Sequence, residues 1–136
     1  MGARRPNISK QVQRIGQFIP RFNRLAAGDP AKHCHLQADS RVSKEEIYGL
    51  TIQLRRAGVS VASNIAEGYG RASSREYRQF LAMARGSNLE IQTQLTIAGQ
   101  LGFGDRPRIR ATEELSHEVG RMLGAIITKL AARRNA

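Results

Sequence analysis

From Lys44 onward, apolar residues return every three or four positions. At about 100° per residue, Ile47, Leu50, Leu54, Gly58, Val61 and Ile65 fall within an arc of about 80°, the stripe of an amphipathic helix. Ile52, Val59 and Ala66 form a second apolar strip roughly 120° away, so this helix sits centrally in a bundle or meets a second subunit. Gly68 and Gly70 end it, because glycine tolerates the left-handed backbone of a helix stop. A new start follows in "SSRE", with Ser73 as N-cap and Glu76 three residues on, the spacing of a capping box. Tyr77, Phe80, Leu81, Ala84, Asn88, Ile91, Leu95 and Ala98 then share one face of a helix reaching about Leu101. In "GFGDRP", Gly102 reads as a stop, Asp105 as an N-cap and Pro107 as a first-turn proline. Leu115, Val119, Met122, Leu123, Ile126, Ile127 and Leu130 stripe the last helix, whose other side mixes Arg, Glu and His.

The N-terminal third is less regular. Ile8, Val12, Ile15, Ile19 and Phe22 have helical spacing, but Pro20 interrupts them by removing a backbone donor and crowding the preceding turn. From Leu25 to Ser43 no apolar period is visible. The chain divides accordingly into an atypical N-terminal segment, 1–43, with a weak first helix and a loop, and a helical bundle domain, 44–136. Short connections make consecutive helices antiparallel neighbours. The fold expected is all-α, an antiparallel up-down four-helix bundle whose first helix is poorly formed.

Composition supports one aliphatic core: of 136 residues, 40% are hydrophobic, only 5% are aromatic and none is Trp. The net charge of +11 points to polyanions as partners, because a basic surface attracts phosphate and releases its counterions. Its distribution tempers that inference. Residues 1–43 hold eight Lys and Arg against two Asp, while 44–136 hold fourteen against nine acids, so more than half the excess lies in the irregular third. A lone Cys excludes an intramolecular disulfide, and no apolar run approaches the ~20 residues of a membrane span. A cytoplasmic protein with no membrane contact is expected.

The polar residues of "LRRAGVSVASNIAEGYGR" invite a catalytic reading, since Ser60, Asn64 and Glu67 lie a turn apart. Nucleophilic catalysis requires a base within reach of the nucleophile, usually His, and none is near in sequence. His117 sits on the mixed polar side of the last helix, where a solvated histidine is the plain reading. "HCH", at His33, Cys34 and His35, lacks the spacing by which ligands converge on one ion. "GYGRASS" lacks the preceding strand and the Lys of a phosphate-binding loop. No enzyme activity, metal or cofactor is expected. Arg56, Ser60, Asn64 and Glu67 are instead expected to serve packing or assembly, as a charge-assisted network that specifies register and partner. Arg71, Arg75, Arg78 and Arg85, with Tyr69 and Tyr77 interleaved, could hold phosphates and stack a base. The plain alternative for these arginines is a solvated helix face.

Tyr48-Gly49-Leu50-Thr51, Gln53-Leu54-Arg55-Arg56-Ala57, Ser60, Ser63-Asn64-Ile65-Ala66-Glu67-Gly68, Arg71, Phe80-Leu81 and Gly86-Ser87 occur together and in order. In this the chain resembles, from about Lys44 to Leu130, the four-helix-bundle proteins first known from intervening sequences in bacterial large-subunit ribosomal RNA genes. The resemblance implies a non-enzymatic bundle that assembles with itself, typically as a pentamer. It also implies an alternative, because a similar bundle is the accessory protein of diversity-generating retroelements, contacting nucleic acid and the reverse transcriptase. Two departures stand out. Ala62 replaces a frequent Pro, removing a kink, and Asn88 replaces an apolar residue in the packed stripe. The first-helix pattern expected before "KEEIYGL" is also missing. Codons for His35 to Ser43 exist that, shifted by one base, encode Ile-Ser-Lys-Leu-Thr-Arg-Glu-Phe-Pro, which resembles the end of that helix. On that reading the segment is an out-of-frame translation and its basic excess accidental. The other reading is an ordinary divergent N-terminus.

Overall fold

Ser43 opens the first described helix with two reciprocal bonds. Its Oγ accepts the Glu46 N–H at 3.2 Å, and its own N–H donates to Glu46 Oε2 at 3.0 Å. With Glu45 and Glu46 in the first turn, negative charge meets the positive end of the helix dipole. The computed structural model describes Gln17, Pro20 and residues 43–132. Three helices follow one another: α1 (Lys44–Gly70), α2 (Ser74–Gln100) and α3 (Arg106–Ala132). Each has 27 residues, so each is about 40 Å long. The matched lengths and short turns make an up-down arrangement. The N-terminal helix expected from Ile8 to Ile19 lies almost wholly outside the described residues. Pro20, expected to interrupt it, is helical.

The helix ends follow the expected chemistry only in part: Gly68 and Gly70 stay within α1 without a left-handed backbone, and the helix closes at Arg71, whose backbone is extended. At the start of α2, Ser73 Oγ accepts the Glu76 N–H at 3.2 Å. The complete reciprocal box lies instead at Ser43. Asp105 Oδ2 accepts the Arg108 N–H at 3.2 Å, which caps α3 and leaves Pro107 in the first turn, where no donor is needed. Between α2 and α3 the chain reverses through Gly102 and Gly104, with φ of 72° and 71°. These left-handed conformations suit glycine alone.

The core runs along α2. Leu54, Ala57, Val61 and Ile65 of α1 pack on one side of it, and Val119, Leu123, Ile126 and Leu130 of α3 on the other. Tyr77, Leu81, Ala84, Ile91 and Leu95 lie between. At Ala62, α1 continues unbroken, as loss of the proline predicts. No described helix is long and apolar enough to cross a membrane.

Candidate functional site

The polar residues of α1 form a directed chain of hydrogen bonds. Asn64 Nδ2 donates to Ser60 O at 2.9 Å and to Ser60 Oγ at 3.2 Å. Ser60 Oγ lies 2.8 Å from Ser87 Oγ on α2, and Ser87 Oγ donates in turn to Met83 O at 3.3 Å. The chain therefore runs amide to hydroxyl to hydroxyl to carbonyl. Each group satisfies the next, and none in it can take the Ser60 proton as a base. Its effect is to tie α1 to α2 at one register.

Arg56 and Glu67 do not join it. They share one side of α1, but eleven residues separate them by about 16 Å along the axis, too far for side chains to meet. Glu67 pairs instead with Arg71, one turn on, and both are about half exposed. The Arg71 guanidinium also lies over the Phe80 ring, 4.9 Å from its centroid. Beside this clasp Gly68 is buried against α2: a Cβ there would meet Phe80 Cβ at 2.6 Å and Tyr77 Cδ2 at 3.0 Å. Arg56 is exposed, and with Arg55, Ile52 and Val59 it lines an open groove of about 300 Å³ on the outside of α1.

The four arginines proposed from sequence as phosphate contacts separate into two groups. Arg71 is engaged by Glu67 and Phe80. Arg75, Arg78 and Arg85 instead share a face of α2 at helical spacing, with Ala82 between them. Arg75 and Arg85 are exposed and Arg78 half-buried; no ion pair holds them among the described residues. The aromatic pair does not form a stacking platform with them. Tyr77 is 7% exposed and Tyr69 packs edge-on against it, centroids 6.4 Å apart. The apolar spacing that puts Tyr77 on the buried stripe prevails over its neighbourhood of arginines.

One polar pair escapes a reading of apolar stripes. Asn88, fully enclosed, donates from Nδ2 to Ser116 O at 3.0 Å and accepts from Ser116 Oγ at 3.0 Å through Oδ1. Gly120 admits this contact: a Cβ there would stand 3.2 Å from Asn88 Nδ2. A signal was available, since Thr112 and Ser116 extend the spacing of Val119 and Leu123 by two turns toward the start of α3, and both are buried. His117 is exposed on α3. Among the described residues no three His, Cys, Asp or Glu side chains group to hold a metal ion, and His33, Cys34 and His35 lie outside them.

A family model for the 23S rRNA-intervening sequence protein matches residues 27–125. The chain belongs to that family. The match begins upstream of Lys44, so it takes in residues 27–43, and it spans most of α3. No curated protein matches the chain. The three helices make the architecture all-α and up-down, and the reciprocal Asn88–Ser116 bond accounts for how an amide is accommodated in its core.

Proposed function

We propose that this chain is a non-catalytic bundle whose role is to assemble with copies of itself. The four-helix form and the self-association are those the family resemblance implies. The observation that carries the reading is apolar surface left outside on two helices. On α1, Tyr48 is 62% and Val59 53% exposed; on α2, Met83 is 45% and Ile97 41% exposed, and Leu101, which caps its end, 46%. Large contiguous apolar patches are rare on monomers and mark interaction sites. Arg56, on the rim of the α1 groove, belongs to this assembly surface, while Ser60, Asn64 and Glu67 hold the helix that presents it. Sedimentation velocity of the full chain over a concentration series tests the proposal. A growing sedimentation coefficient supports it, and a monomer at all concentrations refutes it.

A second reading rests on Arg75, Arg78 and Arg85. Three cations aligned on one helix face, with no described acid paired to them, suit the phosphates of RNA or DNA. Such a binder retains affinity alone and loses it as salt rises. The accessory-subunit alternative differs in that its contact with nucleic acid requires a partner enzyme such as a reverse transcriptase. Fluorescence anisotropy with the purified chain separates the two.

A further inference from the structure

The self-association proposed above raises the question of which faces meet, and the two exposed stripes bear on it directly. On α1, the positions Tyr48, Ile52, Arg55, Val59, Ala62 and Ala66 follow one another by alternating steps of four and three, the spacing of a seam between helices. Arg55 is its only charged member. The seam lies roughly 80–160° round the helix from Ser60, the residue that bonds α2, and centres near 120°, so it faces away from α2. On α2, Met83, Glu90 and Ile97, with Leu101 at its C-cap, line another outer stripe, roughly 140–180° round from Asn88, the residue that bonds α3. Between Met83 and Leu101, Glu90 is its only charged member, and one heptad before Met83 stands Glu76. Neither Arg55 nor Glu90 is in an ion pair among the described residues. Gln94 Nε2 donates to Glu90 Oε1 at 3.0 Å, which holds the carboxylate and leaves Oε2 to accept from another group.

The two stripes also match in register. Tyr48 and Ala62 lie seven residues either side of Arg55, as Met83 and Ile97 do either side of Glu90, about 10 Å along the axis in every case. Placing Arg55 against Glu90 therefore lays apolar on apolar at both ends, whichever way the helices run. A stripe packed on its own copy would set Arg55 against Arg55 or Glu90 against Glu90 at the centre, a like-charge contact that disfavours two-fold pairing.

We propose that a second copy of this chain docks its α2 stripe on the α1 seam, with the partner subunit's Glu90 against Arg55. The inference rests on the self-association reading. Because the two faces differ, the contact is head-to-tail, and each subunit retains one of each face for a further copy. Assembly then proceeds to a closed ring or an open chain, never to a dimer that satisfies both faces of both subunits by a single two-fold contact.

Charge reversal in the full chain tests this by sedimentation velocity over a concentration series. Arg55→Glu and Glu90→Arg should each weaken self-association at least about tenfold, because each places like charges at the centre of the contact. Combining them restores the opposite pairing, so the double variant should associate as the parent does. Both positions are exposed, and equal thermal melting by circular dichroism separates loss of docking from loss of folding. Single variants that associate like the parent, or a double variant that fails to recover, overturn the seam pairing while leaving self-association intact. A monomeric parent overturns both, and assigns the seam to residues 1–42 or to a different partner.

Discussion

Asn88 and Ser116 show what a single buried polar residue requires. An amide in an apolar stripe strands its donor and acceptor unless both are met, and Ser116 meets both from the facing helix. Ser116→Ala should leave Asn88 Oδ1 buried without its hydroxyl donor and cost about 1–3 kcal/mol. Urea unfolding with an unchanged slope checks this, and a midpoint equal to the parent's contradicts it. Gly68 makes a comparable demand by being small. Its hypothetical Cβ collides with Phe80 Cβ, an atom fixed to backbone, so Gly68→Ala must push the helices apart. We expect a loss of about 1–3 kcal/mol, as overpacking typically costs. Gly49→Ala is the control: nothing lies within 4 Å of its Cβ, and alanine should stabilise α1 by about 0.5–1 kcal/mol. Thermal melting of the two variants should therefore shift in opposite directions.

At the scale of the element, termini carry the design. Ser73 separates α1 from α2 by capping the second helix just after Arg71 closes the first. Ser73→Ala should cost about 1 kcal/mol, read by chemical denaturation, because one orphan N–H loses its acceptor. Glu67 and Arg71 reach across the same turn, yet both are about half exposed. A buried charged pair would lose several kcal/mol on truncation; this one is expected to lose only about 0–1 kcal/mol in Glu67→Ala, since water replaces the lost carboxylate. A loss several times larger would show that the clasp is shielded from solvent by assembly.

At the scale of the molecule, α2 is the shared element: its buried face holds α1 and α3 together, and its outer faces carry both Arg75, Arg78 and Arg85 and the Glu90 stripe. Two interactions can therefore be addressed separately. If the basic face binds RNA or DNA, replacing Arg78 and Arg85 together with Ala should flatten the salt dependence of binding by about two counterions. Anisotropy titrations of the full chain at several salt concentrations measure that slope, and an unchanged slope assigns the arginines to solvent. The charge-reversed seam variants should leave it untouched.

Residues 44–132 carry their secondary structure in plain view, because periodicity and capping act between residues three or four apart. Ser73, Asp105 and Gly102 act where the local pattern places them, and the apolar stripes mark which faces turn inward. Residues distant in sequence were not legible in the same way. Ser60 meets Ser87 and Asn88 meets Ser116 across 27 and 28 residues; spacing marks Ser116 as inward, but no local spacing names the partner of any of these side chains. Likewise Tyr77 looked available beside arginines until packing buried it, and Arg71 until Phe80 and Glu67 engaged it. What decides these outcomes is the distance and rotation at which the helices cross. Gly68 and Gly120 set that approach by admitting atoms a side chain would exclude, and it exists only once all three helices are assembled.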